Sequence, residues 1–401
     1  MRVFNVAIEL APFSDETGLG TEVSKLLGAL VKRGHDVRAI APLDAGADPS
    51  GHPLARRLRP VVAACEGREV RFTRFEGRAA SGVNVDLLQP AEALPRRLLL
   101  EAFNRAALEL VRAAGGSDAA CLAWNRECAP FAALDAASTP PIGAANYVVV
   151  QGAIDGFDEW AVQAAARRVI LTRRSAIDLG SADGSAALAS MLDDGRAIAL
   201  PLAVDEHPAL GPTEKASAKA ALQATYGLPV RADVPLTLFA ALPGGALAEA
   251  VGAYLRGEAQ AIAAGDLGAD AAAFGALAER YPDRLTVLPE GTGADGLLAG
   301  ADFCAALADP TLAARAMSFG AVPITTAACA EGAVDLEPSL QSGTAIISDG
   351  PSAAAAIEAL GRAVSAFHLG KPFAALATRI QGHVATWPVC AERFEQILSA
   401  R

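Results

Sequence analysis

"IELAPFSDETGLGTEVSKLLGALVKRGHDVRAIAP", residues 8–42, decides how the chain is read. The apolar run Val3–Ile8 predicts a strand, and apolar residues at helical spacing over about Gly20–Lys32 predict a helix. Gly34 stops that helix, and Val37–Ala41 begins a second strand. Strand, helix and strand in this order form a β-α-β unit with a parallel sheet. The loop between Ile8 and the helix has the outline of one that approaches a phosphate. It keeps Gly18 and Gly20, but places Asp15 and Glu16 where an anion would want a positive charge.

Outward from this unit the alternation continues. A less regular, arginine-rich stretch predicts a hairpin ("EVRFTRFEGR", "VNVDLLQP"). A helix over Glu92–Ala114 then leads to strands at Ala119–Ala123, in "ANYVVVQG" and in "ARRVILT". Three prolines in "AIALPLAVDEHPALGP" break the rhythm and mark a domain boundary near Pro201–Pro212. After the helix "TEKASAKAALQATYGLP" a second alternation runs from Leu236 to Thr325, with strands and helices joined by short loops. The expected fold class is α/β, with two doubly wound Rossmann-like domains facing across a cleft, the usual place for a ligand in open α/β sheets. The expected divisions are residues 1–204 and 205–383, with 384–401 as a helix crossing back to the first domain.

Composition narrows the function. At 401 residues the chain suits about two domains. No run approaches the ~20 apolar residues of a membrane span. "MRVFNVAIELAPF" enters a strand pattern directly, so a cytoplasmic location is expected. A formal net charge of −11, with arginine far outnumbering lysine, argues against nucleic acid or an anionic membrane as partner. Six dispersed cysteines form no C-x-x-C pair and five histidines lack ligand spacing, so neither a metal nor a cofactor is expected.

These segments resemble, in collinear order over nearly the whole chain, the glycogen and bacterial starch synthases, retaining glucosyltransferases of the GT-B fold that use ADP-glucose. The opening stretch resembles that family's E-x-x-P-F-x-K-x-G-G-L-G-D-V motif. "DAACLAWNRECA" resembles D-I-V-H-x-H-D-W-H-T-A through Trp124, and "YVVVQGAIDG" resembles T-I-H-N-x-x-Y-Q-G. "LAVDEHPALGPTEKASAKAALQATYGLP" follows the linker and K-x-x-L-Q helix, and "LLAGADFCAAL", "AMSFGAVPITT", "SGTAII" and "TWPVCAERF" match further on.

The resemblance implies a site, and this sequence departs from it throughout. Asp15 and Glu16 stand in the stretch of the family's loop lysine. Val150 and Gln151 replace the histidine and asparagine of T-I-H-N, and Ala123 replaces the acid of H-D-W. The family's R-L-x-x-Q-K-G, whose cations neutralise the leaving diphosphate, reads "ALPGGALAE", with Ala241, Gly244 and Gly245 and no cation. In "DPTLAARAM" only Asp309 remains of the acidic motif, and in "ACAEGAVDL" Asp335 remains without the paired glycines. Removing one preorganised donor aimed at developing charge costs roughly 3–4 kcal/mol of barrier lowering. The degenerate catalytic positions are thus Glu16, Val150, Gln151, Ala241 and Asp309.

Each retained residue has a plainer reading beside the functional one. Gly18 and Gly20 face a ligand or serve only the turn. Asp309 accepts from a sugar hydroxyl or caps the helix at Thr311. Gln151, Gly244, Gly245 and Asp335 are the other ligand-binding candidates. Trp124 and Trp387 are stacking platforms or packing anchors. Arg167, Arg168, Arg173 and Arg174 form a local basic cluster, either a partner-binding patch or a solvated helix face. The reading adopted is a synthase-like homologue that has lost transfer chemistry and serves as a binding or scaffolding subunit with a protein partner or a second copy. An active transferase, or a regulator that binds a nucleotide sugar or glycan without turnover, is the alternative.

Overall fold

The computed structural model describes residues 1–14, 18–116, 119–142, 145–150, 168–172, 195–240, 247–265, 267, 270–289, 292–307, 309–330, 332–350 and 352–399. The chain divides into two compact units, Met1–Pro201 with Trp387–Arg401, and Leu202–Thr386.

In the first unit, β1 (Arg2–Val6), α1 (Leu19–Lys32) and β2 (Asp36–Pro42) form the β-α-β element read from the sequence. The hairpin is also present, as β5 (Arg68–Arg78) against β6 (Asn84–Pro90). Two short strands not foreseen, β3 (Leu54–Arg56) and β4 (Val61–Cys65), both pair antiparallel with β5. Helix α2 runs over Arg96–Ala113 and starts later than expected, because Pro95 takes the extended conformation that precedes a helix. Strands β7 (Ala120–Trp124), β8 (Ala145–Val150), β9 (Arg168–Thr172) and β10 (Ala197–Leu200) complete the sheet. Among the described residues its order is β10-β9-β8-β7-β1-β2-β6-β5-β3, parallel from β10 through β6. Between β7 and β8 lie two short helices, α3 (Asn125–Cys128) and α4 (Pro130–Ala137).

One network accounts for part of the arginine-rich stretch and its neighbours. Asp86, with no exposure, accepts from Arg38 Nη1 at 2.9 Å and Arg74 Nε at 2.7 Å, and Glu76 binds Arg57 Nε at 2.6 Å. A carboxylate this deep requires such partners.

The second unit contains α5 (Pro212–Thr225), β11 (Leu236–Ala240), α6 (Leu247–Arg256), β12 (Gln260–Ala264), α7 (Ala271–Arg280), β13 (Leu285–Val287), α8 (Ala294–Gly300), β14 (Phe303–Ala305), α9 (Pro310–Ser318), β15 (Val322–Thr326) and β16 (Ile346–Ser348). Helices α10 (Ala353–Phe367) and α11 (Lys371–Gln381) follow. The sheet order β13-β12-β11-β14-β15-β16 is wholly parallel, the doubly wound 3-2-1-4-5-6 arrangement. Successive residues feed opposite faces, as a strand requires. Leu236, Leu238 and Cys304 enter one apolar cluster, while Phe239, Phe303 and Ala305 enter the other.

The last helix, α12 (Trp387–Ser399), belongs to the first unit, where it packs on α1 through Cys390, Ala391, Phe394, Ile397 and Leu398. Arg33 Nε donates to Glu395 Oε2 at 2.7 Å, and His35 Nε2 lies 3.4 Å from Glu395 Oε1. No helix among the described residues is long and apolar enough to cross a membrane.

Two tests follow from this packing. A Cβ on Gly300 would meet Ala218 O and Leu222 Cβ at 2.8 Å, so α8 approaches α5 as closely as it does only because residue 300 is glycine. Gly300→Ala should lower stability by about 1–3 kcal/mol in urea unfolding. Gly296→Ala, on an exposed turn of the same helix with open space around it, should raise stability by about 0.5–1 kcal/mol. Equal effects would contradict the close approach.

The second test concerns pH. Burial lowers the His35 pKa below its ordinary 6.5, the amino terminus and Arg33 acting in the same direction and Glu395 against it. The folded chain therefore favours the neutral ring, and its contribution to stability is present above about pH 6.5 and lost as pH falls below it. His35→Gln should flatten the pH dependence of the melting temperature between about pH 7 and 5. An unchanged slope would remove His35 as its source.

Candidate functional site

In doubly wound sheets the loops at the carboxyl ends of the strands, where the strand order reverses, are positioned for ligands. In the first unit these are the loops after β1 and β7, and in the second those after β11 and β14. The residues singled out from the sequence fall largely in these loops.

After β1, the chain is tied back onto α1. Ala11 N donates to Gly20 O at 3.1 Å, and Ser24 Oγ donates to Ala11 O at 2.6 Å. Gly18 is the N-cap of α1 with φ 82°, a conformation that carries a steric cost for other residues, although a Cβ there would meet nothing. Gly20 is buried in the first helical turn. Glu16 lies outside the described residues.

At the ends of β7 and β8, Ala123 and Val150 are each about 1% exposed. Trp124 is buried, and its Nε1 donates to Asn5 Oδ1 on β1 at 2.6 Å. That bond ties β7 to β1, so the indole is an anchor. Trp387 begins α12 with a buried Nε1 that meets no hydrogen-bond acceptor among the described residues. Gln151 lies outside the described residues.

In the second unit, Ala241, Gly244 and Gly245 fall after β11, outside the described residues. Asp309, after β14, is the N-cap of α9. Its Oδ1 accepts from Thr311 N at 2.8 Å and Leu312 N at 3.1 Å, with Pro310 at the first helical position. Asp335 Oδ1 accepts from Ile347 N at 2.8 Å and from Arg362 Nη2 at 2.7 Å. The hydroxyls of Thr325 and Thr326 turn inward to Ala306 O and Leu307 O, at 3.0 and 3.1 Å. The polar groups described here are thus satisfied by backbone groups or by Arg362.

The basic cluster is corrected in part. Arg168 opens strand β9, opposite Tyr147 of β8, and so does not lie on a helix face. Arg173 and Arg174 follow the other end of that strand in sequence, and with Arg167 they lie outside the described residues. Nucleophilic sulfur chemistry finds no support either. Burial holds Cys121 and Cys128 far above the usual thiol range and pushes Cys304 to about 12 and Cys390 to about 11. No group of three or more potential metal ligands gathers among the described residues.

Sequence reading overlooked the buried polar cluster of the second unit, at the amino ends of its strands. There Lys219 Nζ lies 2.6 Å from Asp302 Oδ2, both nearly inaccessible. Asp302 Oδ2 also accepts from Leu236 N at 2.9 Å, which clamps β11 to the start of β14. The available signal was two of the chain's five lysines, Lys215 and Lys219, spaced one helical turn apart.

Asp309→Ala should cost about 1 kcal/mol of stability, the usual cost of losing a helix cap, while Asp309→Asn or Asp309→Ser should recover most of it in thermal melts. A loss restricted to the alanine variant identifies the role as capping.

Comparison with known proteins agrees with this architecture. Residues 2–119 match the family model of the starch synthase catalytic domain. No curated protein matches the sequence significantly. Among solved structures, the catalytic domain of starch synthase IV from Arabidopsis thaliana, bound to ADP and acarbose, is similar with a TM-score of 0.77 at 18% identity, covering 100% of this chain and 99% of that one. An α,α-trehalose 6-phosphate synthase from Burkholderia multivorans gives 0.56 at 12% identity, covering 99% and 96%. WaaG, a glycosyltransferase of lipopolysaccharide biosynthesis, gives 0.54 at 14%, covering both chains fully. The chain has the GT-B glycosyltransferase fold along its whole length, with the starch synthase catalytic-domain pattern in residues 2–119.

Proposed function

We propose that this protein is a starch synthase-like homologue that no longer transfers glucose, and that it acts as a non-catalytic binding or scaffolding subunit for a protein partner or a second copy of itself. The observation that carries this reading is the state of Asp309. Its carboxylate is held by two backbone amides of α9 and serves as a cap. The sequence supports the same conclusion. Val150 stands where the resemblance places a histidine, and residues 241–246 hold no lysine or arginine to meet a diphosphate. Valine offers neither proton nor hydrogen bond, and a leaving diphosphate needs cations, a metal or several converging amides.

One observation favours the competing reading, an active glycosyltransferase taking ADP-glucose as donor and an α-glucan as acceptor. The amides at the amino terminus of α1 follow a positive-φ glycine, Gly18, in the loop after β1, where doubly wound sheets take ligands. Such amides can receive a phosphate without a side-chain cation.

Isothermal titration with ADP, ADP-glucose and UDP-glucose, together with transfer of labelled glucose to a maltooligosaccharide, separates the two. We expect no transfer, and nucleotide affinity weaker than about 1 mM. Micromolar binding accompanied by glucosyl transfer would establish the enzyme and end the scaffold reading.

A further inference from the structure

At the amino ends of the second unit's strands, the edge away from the loops after β11 and β14, lies a cavity of about 160 Å³. Helices α5 and α11, the end of α10 and the segment ahead of β11 border it, and it opens to solvent. Leu210, Ala216, Phe367, Phe373, Ala374 and Ala377 give it walls of carbon. The Phe367 and Phe373 rings are 5.4 Å apart.

Charge enters from α5. Lys219 is fully answered. Its Nζ meets Asp302, donates to Val234 O at 2.5 Å, and stands 4.4 Å from the centre of the Phe367 ring. Lys215, also lining the cavity, is different. Its Nζ donates only to backbone carbonyls, Phe319 O at 2.9 Å and Leu298 O at 3.1 Å. Among the described residues no carboxylate lies within ion-pair distance of it. An ammonium has three donors, so one remains. Among the described residues Asp302 pairs with Lys219 alone, so Lys215 leaves an excess positive charge in a mostly apolar cavity of a chain whose formal charge is −11. Burial depresses the Lys215 pKa to about 8, with Asp302 opposing and Lys219 reinforcing the shift.

Size limits the occupant. An apolar cavity of roughly 150 Å³ accommodates a benzene ring. A sugar would bring several hydroxyls to walls whose polar donors on Gln223, Thr378 and Gln381 are already bonded within the protein, and a nucleotide is too large.

We propose that this cavity binds a small apolar monocarboxylate of about the size of phenylacetate, with its ring against Phe367 and Phe373 and its carboxylate on the Lys215 ammonium. The anion supplies the missing counter-charge through a charge-assisted hydrogen bond, and the ring displaces water from carbon. The site is independent of whether the protein transfers glucose.

Isothermal titration of the full chain with phenylacetate tests it, with benzyl alcohol and benzylamine as neutral and cationic counterparts of similar shape. Phenylacetate should bind with Kd below about 1 mM, about tenfold or more tighter than benzyl alcohol, and benzylamine should not bind. Lys215→Met should weaken phenylacetate about tenfold. Because that change also strips two helix-end carbonyls of their donor, Ala374→Leu provides the second variant. It fills the cavity, removes no hydrogen bond, and should abolish binding while circular dichroism shows an unchanged fold. Equal affinity for the alcohol and the acid, binding that survives Ala374→Leu, or no binding of phenylacetate at all would each overturn the proposal.

Discussion

A parallel sheet covered by helices on both faces has no room for polar side chains except at the two ends of its strands. Both units obey this constraint, and it organises everything else in them. Leu236, Leu238, Phe239, Phe303 and Cys304 send carbon to alternate faces, and Val3, Phe4 and Val6 are equally buried in the first unit. Several of the polar groups that do enter the interior are answered in pairs. Asp86 takes two arginines, Asp302 takes Lys219 and a backbone amide, and Thr237 Oγ1 meets Tyr254 Oη at 2.8 Å. The cost of desolvating each group is offset only because its partner is fixed by the same strands and helices.

The two ends of the second unit's sheet have consequently become unlike. At the carboxyl ends, Asp309, Thr325, Thr326 and Asp335 are all satisfied internally, by helix amides, strand carbonyls or Arg362. At the amino ends, Lys215 keeps a donor in excess of its acceptors beside open space. A side chain with unspent hydrogen-bonding capacity is better evidence for a ligand than an acidic residue such as Asp309, which the helix start itself uses as a cap.

Much of this was legible in the sequence. The β-α-β opening, the hairpin, the switch to a second alternation and the final amphipathic helix are local patterns, and the chain folds as those patterns specify. Strands β3, β4 and β16 were missed because each is only three to five residues long and is stabilised by its neighbours rather than by its own periodicity. Helices α10 and α11 were also missed, although their apolar residues recur at helical spacing and were open to reading. Of the candidate site, the cap at Asp309 could be read from an aspartate before proline at a helix start. The Asp335–Arg362 pair, and that of Lys219 with Asp302, join positions far apart in the chain, so nothing local announces them. Lysines on a helix read as solvated, and only the packing of α5 against α8 and α11 shows otherwise.

On the proposed reading, in which glucose is no longer transferred, the pattern of retained and replaced residues has a thermodynamic logic. An aspartate that caps a helix contributes about 1 kcal/mol whether or not the loop ever meets a sugar, so it is held by folding alone. A cation aimed at a ligand's phosphates has no such support. In the unliganded chain it is a desolvated charge without a partner, and replacing it by alanine or glycine is neutral or favourable once transfer is no longer required. Residues with a structural second role should therefore outlast those with a chemical role only. Asp309, Asp335 and Gly18 fit the first class, each bound to a cap, an ion pair or a positive-φ turn. By the same reasoning the synthase-like carboxylates that remain are weak evidence for catalysis, because the fold by itself accounts for their presence.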